Sequence, residues 1–335
     1  MLTYTIRRLC LAVPTLLFIA LVIFMLLELA PGDPTAQIPL TVPPEVKAQM
    51  REALGLGEPV HIRFGLWLWQ FFVIEPMVWI DNAVGTAWAE GKTRVISWQT
   101  RAPVMDTVIE RLPQTLWVVA MAYLVGILIA LPIGIYSAYR QYSVFDQVGT
   151  FVTMVGYSVP PFFSGVLVIM IFAVHLEWLP SIYDTTHRVV DWDSFVVQLR
   201  QMILPVMVLS LQTTAQISRF MRSAMLDALR EDYVRTARAK GLSEWSVVMV
   251  HVLRNSMIPV ITIIALGLPQ VFGGAIITEQ IFKVNGLGQL LITAIAANDL
   301  PMVQTVTFML AVLIVLFNII ADLLYGALDP RIRYD

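Results

Sequence analysis

Long apolar runs alternate with short polar segments along this chain, and six of the runs reach spanning length. They cover 9–29, 115–139, 148–174, 202–222, 258–279 and 303–327, each at or above the ~20 residues that cross a bilayer as a helix. Backbone N–H and C=O groups in hydrocarbon need partners within their own segment, so each run is expected to be helical. Pro14, Pro132, Pro160, Pro161, Pro205, Pro259 and Pro269 lie in or beside these runs. Each removes a donor and kinks a helix. The first run follows Arg7-Arg8 as a signal peptide would. Its apolar part, Leu9 to Leu29, is 21 residues long, against about 7–15 in a cleavable core, and no small-x-small site follows. It reads as an uncleaved span.

A seventh candidate, "RFGLWLWQFFVIEPMVWI" at 63–80, is aromatic but interrupted by Gln70 and by Glu75-Pro76. Lys and Arg positions decide its place. With the N-terminus inside, one side carries Arg7, Arg8, Arg140, Arg219, Arg222, Arg230, Arg235, Arg238, Lys240, Arg254, Arg331 and Arg333; the short loops opposite carry Arg188, Arg200 and Lys283. Short loops rich in Lys and Arg stay cytoplasmic. The pattern therefore gives six spans with cytoplasmic N- and C-termini. If 63–80 also spanned, every later segment would flip, so it is expected to lie along the outer interface, where Trp concentrates. The expected organisation is an N-terminal tail and first helix at 1–30, a periplasmic loop region at 31–113, a core of five helices at 114–327 and a cytoplasmic tail at 328–335. The core includes a prominent cytoplasmic loop at 223–257.

Composition agrees with this class. Of 335 residues, 58% are hydrophobic and 14% charged, and the mean hydropathy is +0.74; soluble domains run at about 45–50% and 25%. A net charge of −2 gives no electrostatic reason to bind nucleic acid. Cys10 is the only cysteine, which excludes an intrachain disulfide. The histidines at 61, 175, 187 and 251 form no H-E-x-x-H pair, and no G-x-S-x-G turn occurs, so zinc and serine-hydrolase chemistry are not expected. "GTAWAEGKT" at 85–93 resembles a phosphate-binding loop, but it has five residues between its glycines where that motif needs four. It reads as a solvated loop. No catalytic constellation and no cofactor or metal site emerges.

The densest charge lies in "EDYVRTARAKGLSE", 231–244, where six of fourteen residues are charged. Residues 222–240 hold strong helix formers without Gly or Pro. Gly241 is placed to end that helix in a left-handed conformation, and Ser243 to cap a second helix from Glu244 into the fifth span. Tyr233 and Ala237 lie one turn apart, as do Val234 and Arg238. A half-polar helix outside the bilayer is either a solvated basic loop that sets topology or a docking helix for a cytoplasmic partner.

"DYVRTARAKGLSEWSVVMVHVLRNSMIPVI" resembles the "EAA loop" of binding-protein-dependent ABC importer permeases, and the dipeptide/oligopeptide/nickel permease family in particular. Further blocks share the resemblance: "RRLCLAVPTLL", "LAPGDP", "RLPQTLWVV", "GYSVPPFFSGVLVIMIFAVHLEWLP", "GGAIITEQIFKVNGLGQLL" and "DLLYGALDPRIR". It covers nearly the whole chain and is weakest over about 60–100. It implies an all-α polytopic protein with the type I ABC importer permease fold, six transmembrane helices and an extracytoplasmic loop subdomain. It also implies a second homologous permease subunit, two cytoplasmic ATP-binding subunits and a periplasmic substrate-binding protein, assembled in the cell inner membrane. Glu231, Asp232, Tyr233, Arg235, Thr236, Ala237, Arg238, Ala239, Lys240 and Gly241 would then contact the ATPase, where ATP is hydrolysed. Implied cargoes are dipeptides, oligopeptides, nickel chelates or oligosaccharides.

Polar residues within spans are costly and so are functional candidates. Gln212, Thr213 and Gln216 in the fourth span either line a pathway or hydrogen-bond between helices. Asp322 pairs with an arginine near the cytoplasmic end or belongs to a pathway. Glu28 sits near the outer mouth or anchors at the interface. An ion-gradient-driven secondary transporter or channel is the alternative; it would need a relay of ionisable groups, and Glu28 and Asp322 are the candidates counted.

Overall fold

The apolar runs fold as helices throughout the computed structural model, which describes residues 2–29, 43, 45 and 57–328. Most of the tail at 328–335, with Arg331 and Arg333, and much of the segment at 30–56 lie outside the described residues. Ten helices with described bounds follow in order among the described residues. They are α1 (Leu2–Glu28), α2 (60–84), α3 (Val104–Tyr139), α4 (Val144–Ser158), α5 (Pro161–His175), α6 (Trp192–Ala228), α7 (Asp232–Ala239), α8 (Glu244–Phe282), α9 (Leu287–Ala296) and α10 (Leu300–Leu328). Five helices (α1, α3, α6, α8 and α10) are long and apolar enough to cross a membrane, and six spans result if α4 and α5 count together.

α4 and α5 correspond to the run at 148–174, and they meet at 109°. The cause is local. Val159 and Pro160 are extended, with ψ of 125° and 142°; a proline disfavours helical geometry in the residue before it, and two prolines in succession stop the helix. Pro14, Pro132, Pro205, Pro259 and Pro269, by contrast, sit inside continuous helices.

The chain divides into two units, each described by itself. The larger comprises 1–12, 113–289 and 312–335. Within it α6 and α8 pack extensively against each other, and α3 approaches α6 closely at Gly134. A Cβ there would stand 2.6 Å from Cβ of Met221. Small residues allow backbones this near in lipid, where packing rather than water exclusion holds helices together. Arg8 pairs with Asp322 at 2.9 Å, the structural role open to Asp322. Arg222 binds Asp146 through two bonds of 2.7 and 2.8 Å, fixing the start of α4 to α6. The 176–191 loop is tied down at Tyr183, whose N–H donates to Phe282 O and whose hydroxyl donates to Gln114.

The smaller unit comprises 13–112 and 290–311, and it contains 63–80 within one helix. Gln70 and Glu75-Pro76 do not interrupt a helix: α2 runs through them by widening to a π-helical turn at Gln70–Ile74. Trp67 is buried, 5.3 Å from the Phe308 ring and 6.3 Å from Phe24, and Phe71 lies 4.8 Å from Phe308. The aromatic face therefore packs against α1 and α10. Glu75 is buried because Arg94 binds both its oxygens, at 3.1 and 2.7 Å. Arg63 pairs with Glu28 at 2.7 Å, tying α2 to the end of α1. Asp299, also buried, accepts from Ser97 Oγ and from Trp98 N at 3.1 Å. In the loop resembling a phosphate site, Asp81 accepts from the N–H groups of Trp88 and Ala89. A carboxylate occupies the donors that a phosphate would need.

Candidate coupling loop and polar cavity

The expected helix over 222–240 is in fact two. α6 ends at Ala228, Glu231 is extended with ψ of 151°, and α7 starts at Asp232. The break lets α7 lie across the ends of α6 and α8 instead of prolonging α6. Val234 and Ala237, three residues apart, turn to one side and are buried with Met225, Ala228, Val247, Val248 and Val252. Ala237, 5% exposed, thus turns its side chain towards this cluster. Tyr233 packs partly against the same cluster, and its buried hydroxyl has no hydrogen-bond partner among the described residues.

The other expected contact residues face outward: Glu231, Asp232, Arg235, Thr236, Arg238, Ala239, Lys240 and Gly241 are exposed. Arg235 pairs with Asp232 at 3.1 Å, with both side chains largely in solvent. Gly241 has φ of +77°, and its N–H donates to Arg238 O at 2.9 Å. Ser243 caps the following helix by accepting from Ser246 N at 3.3 Å. Arg238 reaches over the turn to Glu244, at 2.8 Å. Trp245 is 72% exposed beside this surface, a feature that reading the charges alone passes over.

The second candidate set also meets. Gln212, Thr213 and Gln216 line a cavity of about 330 Å³ with Tyr123, Tyr157, Gly267 and Gln270 among its other walls. Thr213 is buried, Gln216 half-buried and Gln212 exposed. Tyr123 donates its hydroxyl to Ile264 O. Gln270 was legible as a polar residue inside the fifth span and was missed; Tyr123 and Tyr157 gave no comparable signal, since aromatics are ordinary in such segments. A third intramembrane carboxylate was also missed. Glu279 is buried at the end of α8 and accepts from Gly288 N at 2.7 Å and Gln289 N at 3.3 Å, so it holds the first turn of α9. Among the described residues no group of three His, Cys, Asp or Glu side chains could hold a metal ion.

Comparison with known proteins agrees with this architecture. Residues 130–334 match the family described as binding-protein-dependent transport system inner membrane component, and 1–119 match its N-terminal companion. An oligopeptide transport system permease protein of Bacillus subtilis (strain 168) is 35% identical, with all of both chains covered. A putative peptide transport system permease protein of Brucella abortus (strain 2308) is 36% identical over 98% of each chain. A glutathione transport system permease protein of Salmonella typhi is 35% identical over the whole of both. Among solved structures, an inward-facing form of the MetNI methionine ABC transporter aligns with a TM-score of 0.53 at 19% identity, over 68% of this chain and 98% of that one. An amino acid ABC transporter aligns at 0.52 and 14% identity, over 67% and 95%. The helical order, the glycine-capped loop between α6 and α8 and the match over most of its length together place this chain in the family of binding-protein-dependent transport system inner membrane components, the non-catalytic membrane permeases of ABC importers.

Proposed function

We propose that this chain forms half of a translocation pathway for peptides, the other half being a second homologous permease. Cargo arrives from a periplasmic substrate-binding protein, and two cytoplasmic ATPase subunits supply the work. Both termini are cytoplasmic, 31–113 is periplasmic, and 223–257 is the cytoplasmic coupling region. The peptide cargo follows the relatives, whose names specify oligopeptide, peptide and glutathione transport.

The observation that carries this reading is the construction of α7. One face is charged and exposed; the other inserts Val234 and Ala237 among residues of α6 and α8. A push on the exposed face therefore reaches two membrane helices through packed side chains, which transmit displacement because such interiors are dense. Glu231, Asp232, Tyr233, Arg235, Thr236, Arg238, Ala239, Lys240 and Gly241 form the docking surface, and Ala237 links it to the core. Gln212, Thr213 and Gln216 line the pathway.

A gradient-driven carrier would need a titratable relay, whereas Glu28 and Asp322 are each engaged by an arginine and Glu279 by the N–H groups of Gly288 and Gln289. The decisive experiment is charge reversal of Arg235 and Arg238 in the reconstituted importer. Their ion pairs are exposed and contribute at most about 1 kcal/mol each, so the variant folds. It is expected to insert and assemble normally while uptake falls at least tenfold; normal uptake would rule out this docking surface.

A further inference from the structure

The neutral cavity adjoins a single positive charge. Gln212, Gln216 and Arg219 follow one another at four and three residues along α6, so they stand on one helix face. Tyr157 joins cavity to charge: it lines the cavity with Gln212 and Gln216, and its ring lies 4.8 Å from the Arg219 guanidinium carbon. Arg219 also donates from Nε to Ala215 O at 3.3 Å. The neighbouring Arg222 is occupied by Asp146, but Arg219 makes no ion pair among the described residues and is exposed. A guanidinium stacked face-on against a ring keeps its in-plane N–H groups directed at other acceptors.

The cavity lining carries amides and hydroxyls and no ionised side chain. Among the described residues Gln212, Gln216 and Gln270 make no hydrogen bond to the protein through their side chains. Each amide offers both donor and acceptor, the complement of a peptide bond. The volume, about 330 Å³, falls at the small end of the 300–1,000 Å³ usual for ligand pockets, enough for a short extended segment.

We propose that this face of α6 is a contact site for the peptide main chain, where the glutamines meet amide bonds and Arg219 takes the free C-terminal carboxylate. This rests on the reading of the chain as a peptide permease. It gives a selectivity indifferent to side chains and dependent on the terminus, since a charge-assisted bond is roughly twice as strong as a neutral one.

The test uses the complete importer in liposomes with two probes, trialanine and trialanine C-terminal amide. The ratio of their ATP-driven uptake is measured for the unmodified importer, Arg219→Gln and Arg219→Lys. The binding protein is common to all three, so its own preference cancels. Arg219→Gln is expected to lower the acid-to-amide ratio about tenfold and Arg219→Lys to lower it less, with binding-protein-stimulated ATP hydrolysis unchanged. An unchanged ratio in Arg219→Gln overturns the site while leaving the permease reading intact. If the unmodified importer moves neither probe, the peptide reading itself falls. Should Arg219→Gln fail to assemble, Gln216→Glu sets a carboxylate one turn away. It is expected to depress the ratio in the same direction, and no change there also overturns the site.

Discussion

Gly241 shows how one residue type can be demanded by backbone geometry alone. Its φ is +77°, and a Cβ added to it would meet nothing within 4 Å, so a larger residue is opposed by conformation and not by space. Gly241→Ala is expected to cost roughly 1–2 kcal/mol at the turn and to lower uptake several-fold, while the amount of protein inserted stays unchanged on a membrane blot. Ala237 and Ala239, two residues apart, should respond oppositely. Ala237 is buried among valines, and Ala239 is exposed. Ala237→Asp strands an unpaired charge, at a cost on the order of 3–5 kcal/mol, visible as a lowered melting temperature in detergent. Ala239→Asp should leave the melt in place and reduce uptake, because it changes only the docking surface.

Among the elements, α4 depends on its anchor. The carboxylate of Asp146 is 4% exposed and is held by Arg222 at 2.7 Å. Asp146→Asn leaves a guanidinium without its counter-charge, and about 2–4 kcal/mol of stability should be lost. Arg222→Met in the same chain should restore part of it, and thermal unfolding of the single and double variants checks both. The 176–191 loop depends on pH instead. Bonds from the Thr186 hydroxyl and N–H hold Asp184 below the usual carboxylate range, and the capping interaction with Ser194, whose N–H donates to the carboxylate, does the same for Asp191. A carboxyl whose folded value is depressed adds stability that is fully present above its unfolded value, about 3.9, and is lost as pH falls through the lower folded value. Protection of the amides in 184–194, taken relative to the unstructured chain at the same pH, should therefore be high at pH 6 and fall below about pH 4. Unchanged protection at pH 3 would refute the linkage.

For the whole molecule the testable property is which side each loop faces. Cys10 is the single cysteine, so Cys10→Ser provides a clean background. With Thr186→Cys, a membrane-impermeant maleimide added outside intact cells should react; with Thr236→Cys it should react only after the membrane is opened. The reverse pattern would mean that α2 crosses the bilayer and that α7 faces outward.

Period and composition sufficed for the helices, since lipid leaves a backbone no other hydrogen-bonded arrangement and the apolar runs mark where lipid lies. Gly241, Ser243 and Pro160-Pro161 were legible too, because caps and breaks act within a few residues of themselves. The long-range pairings were not. Nothing local to Glu75 names Arg94, nothing near Trp67 names Phe308, and nothing in 222–240 says that a helix of strong formers must break at 229–231. Those follow from which faces the other helices leave to be filled. The same holds for the glutamines of α6: their polarity within a span marks them, but only packing brings Gln270, Tyr123 and Tyr157 to the same cavity. Sequence therefore decided what crosses the membrane and where it turns. Tertiary structure decided which side of α7 is buried and which is left for a partner, because burial is settled by neighbours distant along the chain.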